Sequence, residues 1–172
     1  VDMKTGAPAF GTPEYMRATQ MTGQMARFYG LPLRSSGVCA ANVPDGQAMW
    51  ETSNSLWAAV QSGSNMVYHA AGWLEGGLIA SPEKFLMDCE ILQQIQRYMD
   101  PDLVATGVQE IALDSIKSVG NDGHFFETAH TQERYSTAFY QPFLSEWNNF
   151  EGWEASGALW TPARRPRALS SC

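Results

Sequence analysis

The sequence has no long apolar run and few cysteines, and each of these shortages excludes a class of protein. No apolar stretch reaches the roughly 18 residues that a membrane-spanning helix requires, and the N-terminus lacks the basic-then-apolar pattern of a secretory signal. The three cysteines, Cys39, Cys89 and Cys172, are odd in number and far apart. A disulfide-stabilised secreted fold is therefore not expected, and we predict a cytoplasmic protein.

Positive charge is also scarce. The 172 residues include 11 lysines and arginines against 18 aspartates and glutamates, for a formal net charge of -7 at pH 7. We therefore expect neither a nucleic acid nor an anionic membrane surface as a partner. The one basic cluster, formed by Arg164, Arg165 and Arg167, lies in a proline-containing C-terminal tail, where we expect a solvated terminus.

Histidine is rare, and its spacing does not favour a metal site. Neither the histidines, His69, His124 and His130, nor the cysteines form a pair such as H-x-x-x-H or C-x-x-C that would bring two ligands together. We predict no metal ion in this chain. Nothing near Cys39 would lower its pKa, so we interpret this cysteine as a small space-filling residue.

Local start signals predict three helices in the first part of the chain. The triplets TPE at residues 12–14 and SPE at 81–83 each combine an N-cap hydroxyl, a proline at the first helical position and an acid in the first turn. A third start lies at Pro44 and Asp45. With apolar residues recurring at helical spacing, these signals predict helices that end near Gly30, Ser62 and Met99.

Short apolar runs at residues 31–35 and 65–70 predict two strands, the second covered on both faces. The order helix, strand, helix, strand, helix is typical of successive βα units, and hence of a parallel sheet or a (β/α)8 TIM-type barrel. Two strands are too few to close a barrel. We therefore predict an α/β fold class, with residues 1–105 forming βα units of an incomplete barrel and residues 106–172 a mostly helical extension, including helices near 111–119 and 145–156.

His69 is the most interesting titratable group, because it lies at the end of the predicted second strand and before a glycine-rich loop. In (β/α)8 enzymes this end of the strands holds the active site. The alternative interpretation is a core histidine bonded to the backbone. Tyr68 and Trp73 flank the strand end, where an aromatic box could hold a quaternary ammonium group by cation-π contact, although such residues more often pack in a core.

Several stretches resemble the trimethylamine methyltransferase family of corrinoid-dependent enzymes, which includes glycine betaine methyltransferases. The run HAAGWLEGG at residues 69–77 carries most of this resemblance. The other matching stretches are residues 2–7, 24–32, 44–48, 81–85 and 123–134. The chain opens on Val1 rather than methionine, and the resemblance implies that it supplies the last βα units and the C-terminal extension of a longer (β/α)8 barrel.

The resemblance implies a methyl transfer from a methylated amine, either trimethylamine or a quaternary amine such as glycine betaine. The acceptor would be the cobalt of a corrinoid carried by a separate partner protein, with no cofactor bound covalently in this chain. Because archaeal members that demethylate trimethylamine use pyrrolysine and this chain has only standard residues, a quaternary amine is favoured.

The same resemblance implies the residues of the site. His69 is the predicted catalytic residue, and Lys4, Tyr68, Trp73 and Glu75 are predicted to bind substrate. Lys4 would bind a substrate carboxylate where arginine is expected in several relatives, but without arginine's bidentate geometry.

Two other functions stay open: a protein that binds quaternary amines without methyl transfer, and a purely structural part of a barrel. The unpaired sheet edges of an incomplete barrel also predict a homo-oligomer.

Overall fold

The structure of the chain is a computed structural model that describes residues 1–101, 111–142 and 144–158. Two compact units are present: one contains residues 1–93 and the chain after Pro142, and the other is Gln94–Pro142. The predicted boundary between residues 105 and 106 lies outside the described residues, and so does the basic tail. Both stay predictions.

The first helix begins and ends as the sequence predicts. Helix α1 spans Pro13–Tyr29, and the side chain of its N-cap Thr12 accepts a hydrogen bond from the backbone N–H of Tyr15 at 3.3 Å. Gly30 ends the helix with a φ of 67°. This left-handed conformation is one that glycine adopts without steric cost.

Helices α2 and α3 likewise confirm the predicted start signals. Helix α2 spans Gly46–Gln61, with the Asp45 carboxylate accepting from the N–H of Ala48 at 3.2 Å. Helix α3 spans Pro82–Tyr98. Because each start signal needs only a few neighbouring residues, these helices could be found without knowing the fold.

The two predicted strands are present and parallel. Strand β1 spans Arg34–Ser36 and pairs in parallel with β2, Met66–Tyr68, so that Ser36 lies opposite Tyr68. The prediction that β2 is covered on both faces is wrong, because Met66 and Tyr68 are exposed. Burial of both faces requires flanking strands and helices, and within the described residues β2 pairs only with β1.

The glycine-rich segment after β2 contains a hairpin that the sequence did not predict. Strand β3, Trp73–Leu74, pairs antiparallel with β4, Ile79–Ala80. The chain turns between them through three residues with positive φ, Glu75 at 49°, Gly76 at 68° and Gly77 at 93°. The described residues thus form a mixed helix and sheet structure with two small sheets.

In the described residues after α3, the regular structure consists of short helices. In the second unit they are α4, Leu113–Val119, a 3-10 turn at Phe125–Glu127, and α5, Ala129–Arg134. Helix α6, Phe150–Ala155, is shorter than the helix predicted over residues 145–156, because the Asn149 side chain caps its start by accepting from the N–H of Gly152 at 2.9 Å. In the part of the chain that is described, no helix has the length and apolarity needed to cross a membrane.

Small residues fill the core between α2 and the hairpin. Cys39, Ala41, Ala48 and Leu74 form one buried cluster. The Cys39 side chain is fully buried, and its Sγ lies 3.3 Å from the carbonyl oxygen of Trp73, to which the thiol donates. The space-filling interpretation of Cys39 agrees with this environment.

A buried ionic network joins helices α2 and α3 to the loop that follows His69. The ammonium group of Lys84 contacts the carboxylate of Asp88 and donates to the hydroxyl of Thr52 at 2.7 Å. The second carboxylate oxygen of Asp88 accepts from the N–H of Gly72 at 2.8 Å. Lys84, Asp88 and Thr52 are at most 1% exposed, so each charge depends on these partners.

We expect Lys84→Met to destabilise the protein by about 3–5 kcal/mol, because the substitution leaves the Asp88 carboxylate buried without its cation. The double variant Lys84→Met/Asp88→Asn should recover most of this loss, since an Asn carbonyl can still accept from Gly72. Urea unfolding followed by circular dichroism measures both changes.

The control is Glu133→Gln, which removes the exposed ion pair with Arg134 and should change the free energy of unfolding by less than about 1 kcal/mol. A Lys84→Met variant as stable as the unsubstituted protein would contradict a buried, partner-dependent pair.

Cys39 should resist alkylation in the folded protein. Burial raises the pKa of its thiol, so less thiolate is present at neutral pH than in an exposed cysteine, and the side chain is also inaccessible. With iodoacetamide at pH 7.5, peptide mass spectrometry should show slower modification of Cys39 than of the partly exposed Cys89. Equal rates under native conditions, with equal rates in urea as the control, would contradict this burial.

Candidate functional site

Two polar side chains meet where the parallel strands β1 and β2 end. Ser36 is the last residue of β1, and His69 directly follows the last residue of β2. The Ser36 Oγ and the His69 Nδ1 are 3.1 Å apart, within hydrogen-bond distance. The carboxyl ends of parallel strands are the usual place for binding sites in α/β folds, and this pair forms the centre of the candidate site.

The backbone of the site has two non-glycine residues in the left-handed region. His69 has a φ of 50° and Glu75 a φ of 49°. Such a conformation costs of order 1–3 kcal/mol and persists where surrounding contacts determine it, which is common at binding and catalytic sites. The strain therefore supports a functional interpretation of the segment between these two residues.

Two hydrogen-bond arrangements are compatible with the Ser36 and His69 contact. The Ser36 Oγ also accepts from the N–H of Val38 at 3.4 Å, which leaves its own hydrogen available for the His69 Nδ1. In that arrangement the ring proton lies on Nε2. In the other, Nδ1 donates to Oγ. A side chain at Gly77 would begin 3.9 Å from the His69 Nε2, so glycine keeps this position beside the ring free of a side chain.

Aromatic rings surround His69. The Trp73 ring lies 5.5 Å from the imidazole, and the Tyr68 ring lies 6.2 Å away, both nearly perpendicular to it. The guanidinium of Arg34 lies over the Tyr68 ring at 4.4 Å from its centroid. The chain itself therefore already supplies a cation to one face of Tyr68.

The predicted residues are brought together to different degrees. His69, Tyr68 and Trp73 form one cluster, whereas Glu75 lies in the turn after Trp73, where its backbone N–H donates to the Ala41 carbonyl at 3.0 Å. Lys4 is exposed in an N-terminal turn in which the Thr5 hydroxyl donates to Asp2 at 2.6 Å. That bond is the largest of the effects that lower the Asp2 pKa.

Lys4 is connected to His69 only indirectly in the described residues. Lys4 and Tyr15 line one groove of about 670 Å³, and the Tyr15 hydroxyl donates to the Ser36 carbonyl at 3.0 Å. Tyr15 thus lies between the predicted carboxylate-binding lysine and the Ser36 and His69 pair.

Several residues of the site were missed by sequence reasoning. Ser36, Arg34 and Tyr15 are far from His69 along the chain, and no local motif marks them. The strand register could have indicated two of them, because parallel pairing places Arg34 and Ser36 beside β2. Tyr15 depends on how α1 packs, which the sequence pattern does not specify.

The second unit has an aromatic pocket of its own, of about 540 Å³. His124 and His130, whose spacing along the chain is not one typical of metal ligands, both line this pocket. Its other lining residues are Phe125, Phe126, Thr131, Arg134, Tyr135, Ala138 and Phe139. Over residues 1–101, 111–142 and 144–158, no group of three or more His, Cys, Asp or Glu side chains could hold a metal ion.

Comparison with known proteins gives consistent matches. The family model described as trimethylamine methyltransferase (MTTB) matches residues 1–171. A glycine betaine methyltransferase from Desulfitobacterium hafniense (strain Y51) is 37% identical over 153 residues, which are 88% of this chain and 32% of that protein. The trimethylamine methyltransferase MttB2 from Methanosarcina mazei is 29% identical over 158 residues, 91% of this chain and 31% of that protein.

A third relative, the trimethylamine methyltransferase MttB from Methanosarcina barkeri (strain Fusaro), is 30% identical over 158 residues, again 91% of this chain and 31% of that protein. The chain spans about a third of the length of the curated relatives that it matches. With nearly every residue matched by the family model, the chain belongs to the trimethylamine methyltransferase family.

Proposed function

We propose that the protein with this chain transfers a methyl group from a methylated amine, trimethylamine or a quaternary amine such as glycine betaine, to the cobalt of a corrinoid on a separate partner protein. Family membership supports methyl transfer, and the relative at 37% identity is named for glycine betaine. This chain would contribute the part of the substrate site around His69.

We also propose that residues 1–105 are the C-terminal βα units of a (β/α)8 barrel and that residues 106–172 form its helical extension, in a cytoplasmic protein. The parallel pairing of β1 with β2 and the connecting helix α2 support this fold, because parallel neighbours joined by a helix are the unit from which such barrels are built.

The observation that carries the functional proposal is the position of His69. Its imidazole lies at the carboxyl end of a parallel strand, hydrogen-bonded to Ser36 and flanked by the rings of Trp73 and Tyr68. A polar group within an aromatic setting suits a substrate that has a methylated cation at one end and an acceptor at the other.

Trp73 is the better candidate for the cation, and Tyr68 the weaker. A quaternary ammonium is attracted to the face of an aromatic ring, and indole is the strongest of the natural rings. The Arg34 guanidinium already lies over Tyr68 and would repel a second cation on that side. The carboxylate of Glu75, in the same turn, would add attraction for a positively charged amine.

Two cations could bind a carboxylate on the substrate. Lys4 lines the groove that Tyr15 shares, and Arg34 lies beside the His69 cluster. Arginine offers a planar pair of donors that matches a carboxylate, whereas lysine acts as a point charge. Substituting Lys4 and Arg34 one at a time therefore tests which of the two side chains binds the carboxylate of a betaine.

The corrinoid, when its partner protein delivers it, supplies the nucleophile that accepts the methyl group. His69, Trp73 and Tyr68 are each partly exposed, which suits approach by a second protein. The residues of this chain would hold the amine in line for displacement. When a quaternary amine loses a methyl group, the product departs as a neutral tertiary amine, so in that reaction His69 need only orient the substrate. Neutral trimethylamine would instead require a proton on its nitrogen, from a group such as the ring Nε2.

The competing functions, a non-catalytic amine-binding protein and a structural barrel segment, differ from the proposal in one measurable property. Only a methyltransferase removes methyl from its substrate in the presence of a reduced corrinoid protein. The aromatic pocket of the second unit, with Arg134 and His124 in its lining, is an alternative place for amine binding.

Titration calorimetry of the full-length protein with glycine betaine and with trimethylamine tests the site. We expect saturable binding of one amine, weakened by His69→Gln on the order of 10-fold or more because the imidazole ring that Ser36 holds in place is lost. Trp73→Leu should weaken binding of the quaternary amine by a similar factor through loss of the cation-π contact.

The matched controls are Lys4→Met and Arg34→Met. If glycine betaine is the amine that binds, the variant that lacks the carboxylate-binding cation should weaken its binding; if trimethylamine is, neither variant should change binding, since trimethylamine has no carboxylate. Phe126→Leu, in the pocket of the second unit, should leave binding at the His69 site intact. Full affinity in His69→Gln, together with loss in Phe126→Leu, would move the amine site to the second unit.

The isolated chain of 172 residues should self-associate, as the prediction of a homo-oligomer implies. Strand β1 pairs with β2 alone among the described residues, so the outer edges of this two-stranded sheet can pair with another chain. Multi-angle light scattering should give a mass above the 19.0 kDa of one chain. A stable monomer at micromolar concentration would contradict the expectation.

A further inference from the structure

Glu51 of helix α2 is a buried carboxylate with three identified partners. It is 9% exposed, and one of its oxygens, Oε2, accepts from the backbone N–H groups of Ala40 at 2.8 Å and Ala41 at 3.0 Å. The other oxygen, Oε1, accepts from the side-chain amide of Gln47 at 2.8 Å. A carboxylate in this position is satisfied by the loop after β1, and the loop is held by the carboxylate.

The loop held by Glu51 in turn holds the turn of the β3–β4 hairpin. The carbonyl of Ala41 accepts from the N–H of Glu75 at 3.0 Å, and the carbonyl of Cys39 accepts from the N–H of Gly76 at 2.8 Å. The Cys39 thiol donates to the Trp73 carbonyl at 3.3 Å. Each contact joins the residues next to the Glu51 carboxylate with the segment that follows His69.

The turn needs such support because Glu75 has a left-handed backbone, which a non-glycine residue keeps only when its surroundings determine it. Gly77, two residues later, passes beside the His69 ring, where a Cβ would lie 3.7 Å from the His69 Cδ2. A shift of the turn would therefore change the space beside the imidazole and the position of Trp73.

We propose that Glu51 is a positioning residue of the His69 site, acting through the loop at residues 37–41 on the turn at Glu75 and Gly76. The effect of Glu51 on methyl transfer rests on the proposed function, whereas its effect on the loop and the turn does not. Glu51 accepts hydrogen bonds from the loop, and it is the acceptor, not the negative charge, that the geometry of the two N–H groups requires.

Two substitutions separate the acceptor from the size of the side chain. Glu51→Gln keeps a carbonyl oxygen that can accept from Ala40 and Ala41, and the exposed Gln47 can rotate its amide to present its oxygen to the new NH2 group. Glu51→Met has a similar volume and no oxygen. Both variants are uncharged, so a difference between them reports the hydrogen bonds alone.

The experiment uses the full-length protein and begins with measurements that need no substrate. Hydrogen exchange read by mass spectrometry should show faster exchange in peptides covering residues 37–43 and 72–77 of Glu51→Met, by about tenfold or more, with Glu51→Gln close to the unsubstituted protein. The NMR signals of the His69 ring, assigned with His69→Gln, should shift in Glu51→Met and not in Glu51→Gln.

Methyl transfer provides the second readout. The assay uses the amine that binds in the calorimetric test and a reduced corrinoid protein. In Glu51→Met, kcat/KM should fall on the order of 100-fold, as expected when a positioned group is displaced, whereas Glu51→Gln should keep a kcat/KM close to that of the unsubstituted protein. Far-UV circular dichroism and hydrogen exchange in helix α3 serve as controls for global unfolding.

The outcomes separate this inference from the proposed function. If Glu51→Met keeps the exchange rates and the His69 signals of the unsubstituted protein, or if Glu51→Gln behaves like Glu51→Met, the positioning role is wrong. If the unsubstituted protein transfers no methyl from any amine, the proposed function fails, and the exchange rates and His69 signals alone then decide whether Glu51 positions the site.

Discussion

An ionised side chain inside a protein needs hydrogen-bonding partners, and the buried carboxylates of Glu51 and Asp88 find some of theirs in the loops around His69. The carboxylate of Glu51 takes two backbone N–H groups of the loop after β1, and that of Asp88 takes the N–H of Gly72. Both carboxylates lie on long helices, α2 and α3, and give the loops points of attachment there. The energy that burial of these charges costs is offset by bonds that also specify loop geometry.

This arrangement explains how a site can be held by a small sheet. Strands β1 and β2 have three residues each, and the hairpin strands only two, so ladder hydrogen bonds alone give little rigidity. The buried ammonium of Lys84 pairs with the carboxylate of Asp88. Burial raises the pKa of the Asp88 carboxyl, and the nearby ammonium partly opposes that rise. The left-handed residues His69 and Glu75 lie on either side of the Gly72 attachment point along the chain.

Membership of the trimethylamine methyltransferase family gives the site its chemical setting. The chain corresponds to about a third of the length of its curated relatives. Under the proposed function, His69, Trp73 and Arg34 would meet a charged, methylated ligand, since they combine a hydrogen-bonding ring, an aromatic face and a cation.

The sequence by itself determined the three long helices and the position of His69 directly after a strand. The caps at Thr12 and Asp45 act over a few residues, so the bounds of α1 and α2 follow from local chemistry. The order of helices and strands indicated the parallel pair, and the family motif marked the cluster of His69 and Trp73.

Only the tertiary structure decided what touches that cluster. Ser36 lies 33 positions from His69, and Glu51 reaches residues 10 and 11 positions away. The β3–β4 hairpin and the buried Lys84 also depend on these distant contacts, since glycines usually indicate a loop and a lysine an exposed surface. A sequence pattern records the preferences of neighbours along the chain, whereas hydrogen bonds and burial are set by neighbours in space.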